Sequence, residues 1–530
     1  MQLAPAVTMI RDLMKTTPYL HQKAEFIKHW DTKVRAIFWE QGTGKSKLII
    51  DTACRLYLAG LIDCVIIIAP KGVHENWVSD EIPAHIWDDI PHRPLFWKGG
   101  YTKKEQMALA QLDAFQGLRF LTVNYQAVYD RKKPRSTKKI LSKAKKMLKD
   151  FLTFKSLLIL DESTAVKTPG SKTSRTVWGL SERVERIRIM SGMSVTNNPL
   201  DLYGQFRILS RDILGYKTFA EFKQHHAIII KMDNYEIIKE YKNLDEMKER
   251  YDPYMTRVLK KDCLDLPEKL PPIKRYFELT PTQHRHYEEL AETFLTELDT
   301  PCPMCDGERL AVNGLPCGAC NGTGTIVDGR LAMVRRLRFQ QICCGFVTDE
   351  DKTVHVIADP NPRIQLLRSI LSLSDTPGII WACFHPDLEN IVDLLKSMKI
   401  KYVEYSGRVS DADKRQAKID FQKTGVARIL LATQSSAYSG HTFHRAEWNI
   451  YYSQTDNGEH RWQSEDRSHR AGLRHPVSYT DFFSDKPIEK AIMANLIKKK
   501  QYNEMMMGDS KDKRYPVPML SKKEMLTWVE

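Results

Sequence analysis

No apolar run in the 530-residue chain approaches the ~18 to 20 residues that span a bilayer as a helix. The first residues, MQLAPAVTMIRDLMKTTPYL, lack the basic start and continuous apolar stretch of a signal peptide. Ten cysteines are too few in a chain of this length for a disulfide scaffold. The sequence also shows no internal repeat and no long low-complexity tract. These absences predict a soluble, cytoplasmic protein that does not bind a membrane. The length of 530 residues predicts two or three domains.

Positive charge is the first feature that is present. The formal net charge is +14, in a composition of 42% hydrophobic and 28% charged residues. A basic protein is attracted to nucleic-acid phosphates through counterion release. A basic solvated surface explains the same charge equally well. Residues 131–149 hold ten Lys or Arg and no acid, which indicates either a phosphate-contacting insertion or a solvated loop.

Two series of short apolar segments alternate with helix-like segments. The first series is VRAIFWE (34–40), CVIIIAP (64–70), LRFLTVN (118–124) and SLLILDE (156–162). The second begins near Pro362 and is GIIWACF (378–384), KYVEYSG (401–407), ARILLAT (427–433) and WNIYYS (448–453). Continuous apolar runs that end in turn residues are typical of buried parallel strands with crossover helices. The predicted fold class is therefore α/β with two parallel sheets in tandem.

A phosphate-binding loop is predicted directly after the first apolar segment. Its residues are Gly42, Thr43, Gly44, Lys45 and Ser46, followed by a helix-like stretch. Glycines let backbone N–H groups surround phosphate oxygens, and the helix N-terminus adds positive potential. Lys45 is predicted to reach the β- and γ-phosphates and Ser46 to ligate Mg²⁺. The full signature has a glycine where Trp39 stands, so the match is partial.

Acidic and basic side chains further along the chain complete a predicted ATPase site. Asp161 and Glu162 end the apolar segment SLLILDE, where ligands collect in parallel sheets. We predict that Asp161 holds Mg²⁺ and that Glu162 orients and deprotonates the attacking water. Arg467 and Arg470 are three residues apart, so on a helix they would share a face, and they are predicted to neutralise charge on the γ-phosphate. Gln463 is predicted to position the water or to sense the phosphate.

Four cysteines predict a structural zinc site. Cys302, Cys305, Cys317 and Cys320 form two CxxC pairs that are eleven residues apart, with glycines following. Four thiolates at this spacing suit tetrahedral Zn²⁺. Reduced cysteines without metal, or an iron–sulfur cluster, are the alternatives. The sequence pattern CDG…CGACNGTG also resembles half of a chaperone-type zinc domain, and this resemblance implies a small β-hairpin module.

The order and content of these segments resemble the Swi/Snf family of superfamily 2 helicase-like ATPases. EQGTGKS resembles motif I, LDEST motif II, APKGVHENW (69–77) motif Ia and QSEDRSHRAG (463–472) motif VI. SGMSVTNNPLDLYGQF (191–206) resembles motif III, although Met193 and Ser194 depart from its usual residues. LLATQSSAYSGHTFHRAEWNIYY (430–452) resembles motif V in a serine-rich version. The similarity runs from about residue 15 to 500, and the lean form of the chain resembles phage-encoded or bacterial members more than chromatin remodellers.

The resemblance implies two RecA-like lobes with helical protrusions and with Mg²⁺-ATP between them. Gln22 corresponds to the adenine-recognising glutamine of the family. Lys71 in motif Ia and Thr433 in motif V are implied to contact DNA phosphates, independently of sequence. The implied division is lobe 1 in 1–210, a helical protrusion and linker in 211–275, the start of lobe 2 with the zinc insertion (300–325) in 276–345, lobe 2 in 346–490, and a helical brace and tail in 491–530.

The function that follows is a DNA-stimulated ATPase that translocates on duplex or branched DNA. It would unwind or branch-migrate DNA in replication, recombination or repair, as a monomer in a bacterial or phage-infected cytoplasm. An RNA helicase and a DNA-binding scaffold with a degenerate ATPase are the alternatives. We also expect the polar, Lys-rich tail after Gly508 to be loosely ordered.

Overall fold

The protein is described by a computed structural model. It describes residues 14–97, 102–128, 131–132, 139–140, 148–231, 236–267, 269–297, 305, 307–311, 314–317, 329–439, 442–470, 472–510, 516 and 525–529. No helix among these residues is long and apolar enough to cross a membrane.

A seven-stranded parallel sheet forms the first lobe. In spatial order its strands are β11 (Met255–Thr256), β1 (Val34–Ile37), β8 (Arg186–Met190), β7 (Ser156–Asp161), β2 (Cys64–Ala69), β4 (Leu118–Asn124) and β3 (His92–Trp97). Strands β2 and β7 are buried along their whole length, as expected of strands covered on both faces. Their side chains alternate between two cores, with Ile66 and Leu158 in one and Ile67 and Ile159 in the other.

Helices cover both faces of this sheet. They are α1 (Leu20–His29), α2 (Lys45–Leu58), α3 (Val73–Asn76), a π-helical turn (Trp77–Glu81), α4 (Ile82–His85), α5 (Lys103–Asp113), a 3₁₀ turn (Ser163–Val166), α6 (Lys172–Ser181) and α7 (Asp201–Leu209). Within the basic run, β5 (Arg131–Lys132) and β6 (Lys139–Ile140) pair antiparallel, and most of that run lies outside the described residues.

The segment between the lobes contains strands as well as helices. Its elements are α8 (Phe219–His226), the antiparallel pair β9 (Ala227–Lys231) and β10 (Glu236–Tyr241), α9 (Leu244–Tyr251), a 3₁₀ turn (Asp252–Tyr254), β11 and α10 (Lys260–Cys263). Strand β11 pairs in parallel with β1. The segment therefore returns to the edge of the first sheet, beyond the boundary at 210 that the sequence implied.

A six-stranded parallel sheet forms the second lobe. Its spatial order is β12 (Ile273–Phe277), β19 (Ser478–Ser484), β18 (Trp448–Tyr451), β15 (Gly378–Ala382), β17 (Ile429–Thr433) and β16 (Tyr402–Tyr405). The surrounding elements are α11 (Pro281–Glu297), α12 (Gly329–Cys344), the antiparallel pair β13 (Phe346–Thr348) and β14 (Val354–Val356), α13 (Pro362–Leu371), α14 (His385–Ser397), α15 (Asp411–Lys418), a π-helical turn (Ile419–Lys423), a 3₁₀ turn (Gln434–Ser439) and α16 (Gly458–Glu465). Two parallel sheets covered by helices confirm the predicted α/β class.

The last long helix joins the two cores. Helix α17 (Ile488–Met507) places Ile492 and Leu496 in the core of the second lobe. Near its other end, Tyr502 and Met506 belong to the core of the first lobe. One helix therefore packs into both lobes.

The expectation of a loosely ordered tail is wrong for its final residues. Met525 and Trp528 are buried in the core of the second lobe. The Trp528 ring stacks on Phe294 with a centroid distance of 5.8 Å. The free energy gained by burying the large indole of Trp528 explains why these residues are packed although the residues before them are polar.

Candidate active site

The glycine-rich loop connects β1 to helix α2 at the carboxyl edge of the first sheet. Gly42 and Gly44 have φ angles of 83° and 82°, a region that glycine enters without strain. Gly44 is the N-cap residue of α2, which begins at Lys45. The unpaired N–H groups and positive end of this helix dipole therefore face the loop.

Lys45 is held by the backbone of its own loop. Its Nζ donates to the carbonyl oxygens of Trp39 at 2.9 Å and of Glu40 at 3.1 Å. Burial lowers the pKa of Lys45 to about 8. The Trp39 side chain, where the full signature has glycine, is buried in the core and makes an edge contact with His21. The residue that replaces the signature glycine therefore provides, through its backbone carbonyl, one of the two acceptors of Lys45.

Asp161 and Glu162 lie beside this loop, at the end of β7. The indole of Trp77 donates to Asp161 Oδ2 at 2.9 Å. Burial, and then the neighbouring Glu162 carboxylate, raise the pKa of Asp161 to about 7. Glu162 has a left-handed backbone with φ 51°, and its Oε2 accepts a hydrogen bond from Ser191 Oγ at 3.0 Å. Ser191, the first residue of the segment that resembles motif III, therefore contacts the predicted base.

A third carboxylate, which the sequence analysis missed, lies in the same place. Ser46 hydrogen-bonds through its hydroxyl to Glu81, and burial raises the pKa of Glu81. Glu81 stands four residues after Trp77 on the π-helical turn, and this helical spacing was the available signal. The oxygen donors of Ser46, Asp161 and Glu81 are of the type that Mg²⁺ prefers. The set fits a magnesium site.

Two arginines of the second lobe close the site from the opposite side. Arg467 and Arg470 line a cavity of about 280 Å³ together with Lys45, Asp161 and Glu162. Burial lowers the pKa of Arg467 to about 9 and also lowers that of Arg470. The remaining lining residues are Gln41, Gly42, Gly44, Ser46, Val73, Asn76, Trp77, Glu81 and Thr442. The structure therefore brings together residues that are separated by more than 400 positions in the sequence.

A family model described as SNF2-related domain matches residues 6–302, which is more than half of the chain. The chain belongs to the SNF2-related domain family. This membership, with the two parallel sheets, confirms the predicted pair of RecA-like lobes and the resemblance on which it rested. The special resemblance to compact phage or bacterial members stays a prediction.

Similar proteins come from rice, Drosophila melanogaster and Sulfolobus solfataricus. The chain is 22% identical over 484 residues to the rice SNF2 domain-containing protein ENL1, covering 86% of this chain and 47% of that protein. It is 24% identical over 350 residues to a Drosophila melanogaster SWI/SNF-related matrix-associated actin-dependent regulator of chromatin subfamily A-like protein 1, covering 65% and 40%. A Sulfolobus solfataricus SWI2/SNF2 ATPase core in complex with dsDNA is 18% identical, with a TM-score of 0.39 over 98% of both chains. The chain spans less than half the length of the two curated relatives.

Three predicted nucleotide contacts of this SNF2-family chain, Gln22, Thr43 and Gln463, lie outside the cavity lining. The Thr43 hydroxyl donates to the carbonyl of Glu40 at 2.8 Å. Gln22 is buried, and its Nε2 donates to the carbonyl of Gly44 at 2.8 Å, so it supports the phosphate loop. The amide of Gln463 donates to Glu459 at 3.3 Å. Glu459 also accepts a hydrogen bond from Thr164 of the first lobe at 2.8 Å. Gln463 therefore stands beside a contact between the lobes, and its predicted phosphate-sensing role stays a prediction.

The two residues predicted to contact DNA differ in exposure. Lys71 is exposed and pairs with Asp411 of the second lobe at 3.0 Å. This contact lowers the pKa of Asp411. Thr433 is buried, and its hydroxyl lies 2.6 Å from Ser436 Oγ. Lys71 therefore presents its charge to solvent, whereas the Thr433 hydroxyl is engaged within the lobe.

The predicted zinc site lies only partly within the described residues. Cys302 and Cys320 fall outside them. No group of three or more His, Cys, Asp or Glu side chains that could hold a metal ion occurs in the described part of the chain. The backbone N–H of Cys317 donates to the carbonyl of Arg309 at 2.8 Å, next to an antiparallel bridge between Leu310 and Pro316. Two further cysteines, Cys343 and Cys344, are buried.

Proposed function

We propose that this protein is a DNA-stimulated ATPase that uses ATP hydrolysis to translocate along duplex or branched DNA. One observation carries the proposal: Lys45, Asp161 and Glu162 of the first lobe share a cavity with Arg467 and Arg470 of the second. Hydrolysis at such a site depends on the distance between the lobes. A cycle of closing and opening can then move one lobe relative to the other along a strand.

Seven charged or polar side chains in the cavity have a chemical role in this proposal. Lys45 exchanges its loop carbonyls for phosphate oxygens when ATP enters. Glu162, fixed by Ser191, accepts the proton of the attacking water. Arg467 and Arg470 neutralise charge on the transferred phosphoryl group. Ser46 and Asp161, with Glu81 beside them, would hold Mg²⁺, which supplies further charge neutralisation when bound.

DNA is the partner that the charge distribution favours. The net charge of +14 attracts a phosphate backbone without regard to sequence. Lys71 carries an exposed ammonium on the loop that follows β2, outside the nucleotide cavity. Phosphate contacts of this kind position a protein on nucleic acid and carry no base specificity. Unwinding or branch migration, in replication, recombination or repair, is the proposed outcome of translocation.

The domain division is part of the same proposal. Lobe 1 occupies 1–210, the protrusion and linker 211–275, and lobe 2 the region from 276 to 490. The strands add two refinements, because β11 joins the first sheet and β12 joins the second sheet from Ile273. Residues 491–530 act as the brace and tail, with α17 packed into both cores.

We also propose that the cysteine insertion binds structural Zn²⁺ through Cys302, Cys305, Cys317 and Cys320. The hairpin contacts that bring Cys317 next to Arg309 support a compact knuckle. Elemental analysis of the purified protein should give one zinc per chain, and a Cys305→Ser, Cys317→Ser double variant should lose it. A metal-free protein, or one that contains iron, would contradict this assignment.

Glu162→Gln tests the proposed ATPase directly. It keeps the size of the side chain and removes the base, so turnover should fall by about 100-fold or more. ATP hydrolysis should be measured without nucleic acid, with duplex DNA and with RNA. We expect stimulation by DNA. Stimulation by RNA alone would favour an RNA helicase, and wild-type protein without turnover would favour a scaffold with a degenerate ATPase.

A further inference from the structure

Gln41 occupies the point where the two lobes meet inside the cavity. Its amide Nε2 donates to Glu162 Oε1 at 2.5 Å. Its Oε1 accepts a hydrogen bond from Arg470 Nη2 at 2.8 Å. One side chain thus contacts the proposed base of the first lobe and a proposed phosphate-binding arginine of the second.

The chemistry of the two neighbours explains why an amide stands between them. A carboxylate only accepts hydrogen bonds, and a guanidinium only donates them. A group that links the two without being charged must donate on one side and accept on the other, as the glutamine amide does. Arg470 lies within electrostatic range of Glu162. The amide therefore links the two groups while it keeps them from forming a direct ion pair.

The surroundings of Gln41 restrict it to this position. Its side chain is buried, with 8% exposed. Gly192, in the segment that resembles motif III, faces it, and a Cβ at Gly192 would lie 2.8 Å from Gln41 Cγ. The other oxygen of Glu162 is held by Ser191. Glu162 is therefore oriented by one contact within its own lobe and by a second contact that leads through Gln41 to the other lobe.

We propose that Gln41 is a positioning residue that aligns Glu162 with Arg470 when the lobes close. The inference rests on the proposed ATPase function and specifies how that site depends on lobe closure. When Arg470 is in place, the Gln41 amide is fixed at both ends and holds Glu162 in one orientation. When Arg470 withdraws, the Gln41 amide oxygen loses the hydrogen bond from Arg470, and Glu162 loses its fixed orientation. Hydrolysis is thereby restricted to the closed arrangement.

The test is a double-mutant cycle with Gln41→Met and Arg470→Ala, measured as DNA-stimulated ATP turnover. Methionine keeps the length of the side chain and removes both hydrogen bonds. In the wild-type background we expect kcat to fall about tenfold, with the KM for ATP unchanged within about twofold. In the Arg470→Ala background the same substitution should change kcat by less than about twofold, because the link is already broken.

Two further variants separate positioning from folding. Gln283→Met removes a buried amide that donates to the carbonyl of Ile342 at 2.8 Å, away from the cavity. This control should lower the melting temperature without changing kcat by more than about twofold. Gln41→Glu keeps an acceptor for Arg470 but places a carboxylate against Glu162. It should be at least as slow as Gln41→Met.

The outcomes distinguish this inference from the proposed function. If Glu162→Gln turns over ATP as the wild type does, the proposed function and this inference both fail. If Glu162→Gln is inactive while Gln41→Met keeps its kcat, only the role of Gln41 is wrong. Equal losses from Gln41→Met in both Arg470 backgrounds, or a change confined to KM, would also overturn it. Wild-type kcat in Gln41→Glu would do the same.

Discussion

The two sides of the cleft between the lobes are joined by different kinds of contact. On the nucleotide side, two hydrogen bonds of 2.8 Å connect the lobes: a partly buried one from Arg470 to Gln41 and a buried one from Thr164 to Glu459. On the outer side, the exposed pair of Lys71 with Asp411 spans 3.0 Å, and Arg415 approaches Glu75 at 3.7 Å.

The difference between these sides has an energetic meaning. Exposed ion pairs contribute about 0 to 1 kcal/mol, because water and salt replace them readily. A buried hydrogen bond leaves an unsatisfied group when one partner is removed, which costs about 1 to 3 kcal/mol. The nucleotide side therefore determines when the lobes are aligned, and the outer side can exchange its carboxylate partners for phosphates at little cost.

The strongest test of the nucleotide side is Arg467→Ala. Removal of this buried guanidinium should lower kcat by about 1,000-fold while ATP still binds. Arg474→Ala is the matched control, since Arg474 follows in the same segment and is exposed. It should retain kcat within about twofold. Comparable kcat in the two variants would remove Arg467 from the site.

Gly192→Ala tests the contact between Gly192 and the Gln41 side chain, and its expected effect is smaller. The added Cβ presses on Gln41 Cγ, so we expect kcat to fall about threefold to tenfold through displacement of the amide. Gly179→Ala adds the same methyl group in helix α6, where nothing lies within 4 Å. That variant should keep its kcat and gain stability, by about 0.4 to 1 kcal/mol. Identical kinetics in the two variants would contradict the account of Gln41.

On the outer side, Lys71→Ala should act on DNA affinity alone. We expect the DNA concentration for half-maximal ATPase stimulation to rise about threefold. The number of counterions released on DNA binding, measured from its salt dependence, should fall by about one. kcat at saturating DNA should not change. Lys104→Ala, which removes an exposed lysine of helix α5, serves as the control for net charge. An equal effect from Lys104→Ala would mean that only overall charge matters.

Asp411→Asn should have the smallest effect, in the opposite direction. Removing the carboxylate frees Lys71 for phosphate, so half-maximal stimulation should occur at about twofold lower DNA concentration. Asp393→Asn makes the same charge change at an exposed residue of helix α14 and should not reproduce the shift. If Asp411→Asn weakens DNA binding instead, the pair with Lys71 supports the DNA-binding arrangement and does not compete with it.

The fold could be predicted where strands are apolar throughout. Four strands of each sheet follow apolar runs, and the phosphate loop and acidic pair lie where those runs end. Strand β8 was missed because its arginines interrupt the pattern. Arg188 is nevertheless buried, since its guanidinium donates to the carbonyl of Thr32 at 2.7 Å. In β19 the buried Asp481 pairs with Arg461 at 2.6 Å. A strand whose buried polar side chains are hydrogen-bonded by residues distant in sequence cannot be predicted from its local apolar pattern.

The candidate site was predictable only in its separate parts. The sequence identified Lys45, Glu162 and Arg470 from local motifs. It did not reveal Gln41 as the link between them, because its two contacts depend on the positions of both lobes. Glu81 was overlooked because its local signal was the spacing of four residues from Trp77, and that spacing belongs to no recognised motif. Contacts across a cleft follow from the packing of two domains and not from spacing along the chain.

The account is tested most directly by displacement of a third strand from triplex DNA, since this reports translocation without requiring strand separation of the duplex. Wild-type protein should displace the strand only with ATP and Mg²⁺, and Glu162→Gln and Arg467→Ala should bind the DNA without displacing it. Gln41→Met should displace it at about one tenth of the wild-type rate. ATP consumption by the wild type without displacement, or displacement that persists in Glu162→Gln, would contradict an ATP-driven motor built on this cleft.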